Sequence, residues 1–236
     1  SADTRATFNP DGSGAFATGD VLRLRVRGSV PVTYHVEYTI GTTVLRWDDF
    51  KDIGNKGPLT FAGAYPKNAV DNDNCFYILR AANSDLLIAP TVTVAKGEPV
   101  RLAFRHVMHR LVVNLSGNAL TADELSQASV RLSESLYCCA VVDFTNATAL
   151  ADNSAIYGDN PPTRTGATTT FILVPQDIHS LSEKITITAG GQELTYTFPA
   201  QLPGATAYDP PRRLQSGRTL TLNLAIKEQA VRSADF

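Results

Sequence analysis

The feature that most constrains the fold is a change of phase inside one long β-like run, residues 100–115 (VRLAFRHVMHRLVVNL). Apolar side chains alternate on even positions up to Met108 and on odd positions from Leu111 onward. Because successive side chains of a strand point to opposite faces, one straight strand cannot bury both sets on one face. A β-bulge between the two sets is one solution. We favour the other, in which the chain leaves one β-sheet core and enters a second.

The phase change therefore predicts a domain boundary. We predict an N-terminal domain over residues 1–106 and a C-terminal domain over residues 107–236, with 100–104 closing the first and 111–115 opening the second. The length of 236 residues is enough for two small domains.

Short runs of alternating apolar and polar residues recur along the rest of the chain. They are 21–28, 32–40, 44–47, 59–66, 168–176, 184–190, 192–198 and 218–228. Gly190–Gly191 is a two-residue hairpin signal, and only 121–127 carries a good helix start, with Thr121 and Glu124 as a capping box. The polar stretch 145–168 is expected to be a long surface loop. This pattern predicts an all-β chain of antiparallel sandwiches with Greek-key connections.

Two local expectations follow from alternation. Arg23, Arg25 and Arg27 fall on one face of the strand 21–28, and we expect that face to be solvated. Cys138 and Cys139 are neighbours, so at most one of them should face a given core. Free cysteine packs as a small hydrophobe, and we expect inert buried thiols rather than a disulfide to Cys75.

Composition argues against several classes of function. Apolar residues make up 43% and charged residues 19% of the chain, as in folded proteins. The net charge of −2 gives no basic field for nucleic acid, and no apolar run approaches the roughly 20 residues that span a bilayer. We find no nucleophile elbow, phosphate loop or nicotinamide fingerprint. We therefore expect no enzyme activity, no catalytic residue and no cofactor.

Three weak candidates for ion or acid chemistry remain. His106 and His109 would share a face on a helix, but in a strand an odd separation places their rings on opposite faces. Asp48 and Asp49 are adjacent and would diverge in the same way, unlike a glycosidase pair across a cleft. The sequence DNDN at 71–74 lacks the glycine and distal glutamate of a calcium loop, which leaves an adventitious surface ion. We expect no metal site.

Six segments resemble, in the same order, those of fimbrillin-like proteins, the fimbrial-subunit family of gut and oral anaerobic bacteria. They are WDDF (47–50), LTFAGAYP (59–66), NSDLLIA (83–89), VRLAFRHVMHRLVVNL (100–115), FILVPQ (171–176) and SGRTLTLNLAIKE (216–228). The chain departs from the family pattern at FAGAYP, where two aromatic residues usually precede the proline. It also ends on SADF, where a tryptophan often closes the family's chains.

The resemblance implies two tandem transthyretin-like β-sandwich domains. It also implies export as a lipoprotein to the outer membrane, with the acylated cysteine upstream of Ser1. The implied function is a structural subunit of a cell-surface fimbria that binds other subunits head to tail by donor-strand exchange. Adhesion to a host or bacterial surface ligand belongs to the same expectation.

Two sets of residues would carry this assembly. Arg5 resembles the family's trypsin-like cleavage position, with Ala6 beginning the mature subunit. The donor strand would come from the run 218–228 or from the tail beyond it. In that run the alternating apolar residues are Leu220, Leu222, Leu224 and Ile226.

A surface glycan-binding lipoprotein built from β-sandwiches is the alternative function. Such a protein needs exposed aromatic rings that form a platform for sugars. The aromatic residues available for it are Trp47, Tyr157 and Tyr208.

Overall fold

The computed structural model describes residues 7–8, 14–54, 56–70, 76–78, 85–133, 136–152, 160–178, 183–205 and 210–227. These residues are nearly all in β-strands or short connections, which confirms the all-β prediction. The strands are β1 (Thr7–Phe8), β2 (Gly14–Ala15), β3 (Val21–Arg27), β4 (Thr33–Thr39), β5 (Leu59–Tyr65), β6 (Phe76–Ile78), β7 (Leu87–Val94), β8 (Arg105–His106), β9 (His109–Gly117), β10 (Ser129–Leu132), β11 (Cys139–Asp143), β12 (Thr148–Ala151), β13 (Thr163–Thr165), β14 (Thr168–Leu173), β15 (Gln176–Asp177), β16 (Lys184–Ala189), β17 (Gln192–Thr197), β18 (Arg213–Leu214) and β19 (Thr219–Ile226). The described helices are a 3-10 helix (Trp47–Ile53) and α1 (Ala122–Gln127).

The first half of the chain builds a five-stranded sheet in the order β4-β3-β5-β7-β8. Alternation in β3 buries Leu22, Leu24 and Val26 on one face. Part of this face packs against the 3-10 helix, whose Phe50 and Ile53 join Val26 in one hydrophobic cluster.

The strand predicted over 44–47 is wrong. Residues 44–46 have no regular structure, and Trp47 begins the 3-10 helix. The Asp49 carboxylate accepts a hydrogen bond from the Arg46 backbone N–H at 2.7 Å. A carboxylate in this position satisfies a donor at the helix start and favours a helical turn. Alternation over so few residues does not reveal it.

The opposite face of the five-stranded sheet is covered by the sheet β12-β11-β6. Ala64 of β5 packs in one cluster with Ala140 and Val142 of β11. The Arg25 guanidinium carbon lies 4.5 Å from the centre of the Phe144 ring, in the turn between β11 and β12. The expectation of a solvated arginine face is therefore wrong at Arg25, because a hairpin from a distant part of the chain covers it.

Both described cysteines are buried free thiols, as expected, and only Cys138 joins the core cluster between the two sheets. Cys138 is 5% and Cys139 2% exposed, and burial raises the pKa of both thiols. Alternation holds here, since Cys138, Ala140 and Val142 share that cluster whereas Cys139 and Val141 do not belong to it. Cys75 lies outside the described residues.

The long loop predicted over 145–168 is also wrong, since β12 and β13 lie within it. The chain reverses after β11 because the Asp143 carboxylate accepts hydrogen bonds from the Thr145 N–H at 2.7 Å and the Asn146 side chain at 2.7 Å. These bonds lower the pKa of Asp143. The polar residues that suggest a loop thus make a tight hairpin turn.

The second half is a sandwich of the sheets β13-β14-β9-β19 and β10-β16-β17. The predicted hairpin at Gly190–Gly191 is confirmed, with Ala189 opposite Gln192. The fully buried members of this core are Leu111, Val113, Phe171, Leu173, Ile185 and Leu214. One strand pair departs from the antiparallel prediction, because β19 runs parallel to β9.

The predicted capping box begins α1. The Thr121 hydroxyl accepts a hydrogen bond from the Glu124 N–H at 3.2 Å, and Glu124 accepts one from the Thr121 N–H at 2.8 Å. The bonds to Thr121 lower the pKa of the Glu124 carboxyl.

The run 100–115 is divided between two sheets. β8 pairs with β7 in the first sheet, and β9 pairs with β14 and β19 in the second. The buried residues Val107 and Met108 join them, and we call this pair the crossover. Residues 100–104 are not a strand, contrary to the expectation. Pro99 has no N–H to donate, and Phe104 packs as a single side chain against Phe16, with ring centres 5.0 Å apart.

The chain passes between its halves a second time. β11 pairs with β6 of the first half, and its residues share a cluster with the crossover. The boundary after His106 stays a prediction, and this hairpin ties residues on either side of it together.

The strand end Pro175–Gln176 holds another connection in place. The Gln176 side chain is 2% exposed. Its Oε1 accepts a hydrogen bond from the Tyr137 N–H at 2.8 Å, and its Nε2 donates to the Tyr137 carbonyl at 3.0 Å. The side-chain amide therefore satisfies both backbone groups of Tyr137, as a neighbouring strand would. These bonds explain why a polar residue is buried here.

Candidate functional site

The predicted donor run forms β19, an edge strand of the second half. Its register against β9 places Leu222 beside Val113 and Leu224 beside Leu115. Leu220, Leu222 and Ile226 are between 4% and 7% exposed, and Leu224 is partly buried in the same core. The four apolar side chains thus share the inner face, as their alternation predicts.

The outer edge of β19 is open. The Arg110 N–H donates to the Arg218 carbonyl at 2.9 Å, and with the parallel register this directs the backbone groups of the even residues toward β9. The backbone groups of Thr219, Thr221 and Asn223 therefore face away from the sheet. Within the described part of the chain, no hydrogen bond engages them.

This edge also lacks the usual protection. Natural edge strands carry charges, prolines or bulges that discourage pairing with another chain. β19 reads TLTLNLAI, with no charge and no proline, and its register against β9 is continuous. By contrast, the edge strand β12 is covered: its Ala149 N–H donates to the Ser216 hydroxyl at 3.0 Å and its Ala151 N–H to the Pro175 carbonyl at 2.7 Å.

A row of polar side chains crosses the outer face of this sheet. The Thr168 hydroxyl donates to Asn114 Oδ1 at 2.9 Å, and Asn114 Nδ2 donates to Asn223 Oδ1 at 2.9 Å. The three residues are register partners on β14, β9 and β19. Exposed bonds of this kind fix the register of β19 and add little energy.

Two glycines allow β19 to lie close to its neighbours. At its end, a Cβ on Gly117, whose φ is +136°, would lie 2.1 Å from the Ile226 carbonyl oxygen. At its start, a Cβ on Gly217, whose φ is +67°, would lie 2.7 Å from the His106 carbonyl oxygen. Larger residues at either position would push the strand away.

The residues just before β19 bind the crossover, and we call Gln215–Gly217 the root of the strand. The Ser216 hydroxyl donates to the Val107 carbonyl at 2.8 Å and accepts the Ala149 N–H. The Gly217 N–H donates to the Met108 carbonyl at 3.2 Å. The root thus joins the crossover, β19 and the edge of β12.

His109 makes a fourth bond to the root. Its ring is 3% exposed, and Nδ1–H donates to the Gln215 carbonyl at 3.0 Å. Burial lowers the pKa of His109 to about 4, against the smaller opposing effect of that bond. Nε2 has no hydrogen-bond partner among the described residues. The ring is therefore neutral at physiological pH, with its proton on Nδ1.

His106 has a different partner and a structural position. Its Nδ1 lies 2.5 Å from the Asp85 carboxylate and donates to it. Asp85 and His106 come from two of the six segments that resemble the family. Their contact joins these two segments at the end of the first sheet. The rings of His106 and His109 lie in separate sheets. Across the described residues, no group of three or more His, Cys, Asp or Glu side chains is placed to hold a metal ion.

Most of the remaining predicted residues fall outside the part of the chain that the structure describes. Arg5, Ala6, Tyr157, Tyr208 and the segment 71–74 lie outside the described residues. The Trp47 ring is partly buried and packs edge-on against Phe61, with ring centres 6.2 Å apart. Of the three aromatic residues predicted for a glycan platform, Trp47 is the one described, and its partly buried ring favours a packing role. In the same ranges, no helix has the length and apolarity to cross a membrane.

The root is the part of the site that sequence reasoning missed. Its bonds join residues 106 and 109 positions apart in the chain. The only local signal is Ser216–Gly217 before an alternating strand, which is common to many turns.

Comparison with known proteins identifies the same family that the six sequence segments resemble. A family model described as fimbrillin-like matches residues 53–234. No protein with a curated description is significantly similar in sequence.

Solved structures share the fold. A candidate cell adhesion protein from Bacteroides uniformis aligns with a TM-score of 0.64 and 16% identity, over 89% of this chain and 88% of that one. A second, from Bacteroides thetaiotaomicron, has a TM-score of 0.54 and 20% identity, over 91% and 84% of the two chains. A fimbrial assembly protein from Parabacteroides distasonis has a TM-score of 0.51 and 13% identity, over 94% and 87%.

Proposed function

The chain belongs to the fimbrillin-like family, and we propose that it is a structural subunit of a cell-surface fimbria, assembled head to tail by donor-strand exchange. In this proposal it acts as a non-enzymatic building block and reaches the outer membrane as a lipoprotein, anchored upstream of Ser1. Its partners are other fimbrial subunits, and adhesion to a surface ligand is a property of the assembled fibre.

The proposal rests on two properties of β19, which are its alternating apolar side chains and its position at the edge of a sheet. A donor strand must present alternating apolar side chains to a groove in another subunit. It must also leave its own sheet without taking that sheet apart. β19 has the alternation, and among the described strands it is an edge strand, bonded on one side only.

Donation has a cost that limits how it happens. Burying a leucine or isoleucine side chain contributes about 1.5–3 kcal/mol, and Leu220, Leu222 and Ile226 are all buried in their own sandwich. β19 therefore leaves only if a groove of the next subunit takes up those side chains. A head-to-tail contact of this kind that does not close into a ring propagates as a filament.

The tail beyond Ile226 is the other donor candidate, and all of it after Lys227 lies outside the described residues. Its sequence, KEQAVRSADF, does not alternate apolar and polar residues. The pattern needed by alternating pockets therefore favours β19.

A reversible lock tests the donor role. Asn114 and Asn223 are exposed register partners whose side chains already touch, and neighbouring strands lie within the Cα separation that a disulfide spans. We expect the double variant Asn114→Cys, Asn223→Cys to form no fibres when oxidised and to form them again after reduction. Electron microscopy and SDS-resistant ladders measure this outcome.

The matched control places the lock on strands that do not donate. Val112 and Thr170 are register partners of β9 and β14, so Val112→Cys, Thr170→Cys ties that sheet and leaves β19 free to exchange. This variant should polymerise whether oxidised or reduced. Fibre formation by the oxidised Asn114–Asn223 variant would refute the donor role of β19. Deleting 218–236 is a blunter test, because it also removes core side chains.

We further propose cleavage between Arg5 and Ala6 before assembly. The Arg-Ala bond precedes the first domain, where removal of a leading segment would open an acceptor groove. N-terminal sequencing of the subunit from native fimbriae should begin at Ala6, and any other start overturns the assignment.

A further inference from the structure

We infer that release of β19 loosens the β11–β12 hairpin locally at Ala149, near its turn, so that giving up the donor strand prepares another part of the same subunit for exchange. The inference deepens the proposed function and rests on it for its biological meaning. The coupling itself is a property of the single chain and is measurable without fibres.

Ser216 is the residue that couples the two elements. Its hydroxyl has one proton and donates it to the Val107 carbonyl. It accepts the Ala149 N–H on its lone pair. One side chain thus satisfies a carbonyl of the crossover and an amide of β12, and it does so only while the root is in place.

Both partners are buried. Val107 is 0% and Ala149 5% exposed. When β19 peels from β9, the root loses the bonds of Gly217 to Met108 and of Gln215 to His109. Removing Ser216 with it leaves a buried carbonyl and a buried amide without partners, which proteins avoid. The edge of β12 then opens to hydrate the Ala149 N–H.

The affected hairpin covers the first sheet. β11 pairs with β6 and packs on β5 through Ala140 and Val142, and Phe144 lies over Arg25. Loosening at Ala149 therefore weakens the cover on the arginine-bearing face of the five-stranded sheet. A strand leaving one sandwich would thereby change the other, without a contact between β19 and that sheet.

Hydrogen exchange at single amides in the monomer tests the coupling. Gly117→Ala pushes on Ile226, at the far end of β19 from the root. The loss of one hydrogen bond to a buried amide corresponds to about tenfold in an equilibrium constant. We therefore expect Gly117→Ala to speed exchange of the β19 amides that face β9 and of the Ala149 amide by the same factor, about tenfold or more.

Ala151 is the built-in control. It lies on the same edge of β12 but donates to Pro175, not to the root. Its exchange should not follow that of β19. The oxidised Asn114→Cys, Asn223→Cys variant has the opposite effect, because it holds β19 on β9. It should slow exchange of the Ala149 amide and leave that of Ala151 unchanged. This variant also tests the coupling if Gly117→Ala does not fold.

Two substitutions at Ser216 test whether its hydroxyl transmits the state of β19 to the Ala149 amide or only stabilises that amide. Ser216→Ala should leave Ala149 exchanging fast whether β19 is locked or not, whereas Ser216→Thr, which keeps the hydroxyl, should restore dependence on the lock. The inference is overturned if, with Ser216 present, the exchange rate of the Ala149 amide does not change when β19 is locked or destabilised. It is also overturned if the exchange rate of the Ala151 amide changes together with that of Ala149. Failure of the locked variant to block fibres, with the amide coupling intact, would instead overturn the donor role.

Discussion

Replacing Leu222 by alanine should destabilise the second sandwich by about 3 kcal/mol, within the range of about 2–5 kcal/mol for leucine-to-alanine changes in cores. Leu222 is 4% exposed and its register partner is Val113, which is 0% exposed. Deleting its three outer carbon atoms leaves a cavity between the two sheets that Phe171 and Ile185, in the same cluster, cannot fill without moving.

Urea denaturation followed by circular dichroism measures the loss. The midpoint should fall with little change in slope, because the variant exposes almost the same surface on unfolding. Leu224→Ala is the matched control: it removes the same atoms from the same strand at a partly buried position, and should cost less than half as much. Equal losses for the two variants would show that β19 is not seated as its register indicates.

The same comparison bears on assembly. If β19 is the donor, Leu222→Ala weakens the monomer and the fibre together, because its pocket is occupied in both. A donor located beyond Ile226 predicts a weaker monomer with fibres of ordinary stability. Heating fibres and monomers of the variant in parallel separates these outcomes.

How far the sequence could predict this molecule depends on the range of the interactions. Alternation predicts β3, β9, β16, β17 and β19, because half-buried strands impose a period of two on their own residues. The phase change between Met108 and Leu111 predicts a passage from one sheet to another, and β8 and β9 do lie in separate sheets. Local capping predicts α1 for the same reason, since both bonds span three residues.

The failures have the opposite cause. Arg25 is covered by Phe144, and the residue pattern of β3 cannot predict contact with a hairpin so distant in sequence. The polar segment 145–168 looks like a loop because its turn is made by Asp143 and Asn146, although β12 within it is a strand. The contact that covers Arg25 lies outside the window that a periodicity measures, and so does the bond from Ala149 of β12 to Ser216, which lies 67 residues away.

The candidate site divides in the same way. The four apolar residues of β19 are predicted by their spacing, whereas the open edge depends on strand order, which the sequence does not encode locally. Ser216 and His109 gain their positions from bonds across more than one hundred residues. The chemistry of the root is therefore visible only in the folded chain.

His109 should make the protein acid-sensitive in a window set by its own pKa. In the folded chain burial lowers the pKa of His109 to about 4, against its ordinary value of 6.5. As the pH falls below 6.5, the unfolded chain takes up this proton while the folded chain does not, so unfolding is favoured. The contribution of a neutral His109 is complete above pH 6.5, declines between pH 6.5 and about 4, and is lost below. At about 1.4 kcal/mol per pKa unit, the total is on the order of 3 kcal/mol.

The variant His109→Asn isolates this effect. Its amide nitrogen takes the position of Nδ1 and still donates to the Gln215 carbonyl, but it does not titrate. Carboxylates elsewhere contribute equally to both proteins and cancel in the difference. Between pH 7 and pH 4.5 the wild-type free energy of unfolding should fall by about 2–3 kcal/mol more than that of the variant, as measured by urea denaturation at each pH. Parallel curves would show that His109 is not buried as a neutral ring, because burial is what lowers its pKa.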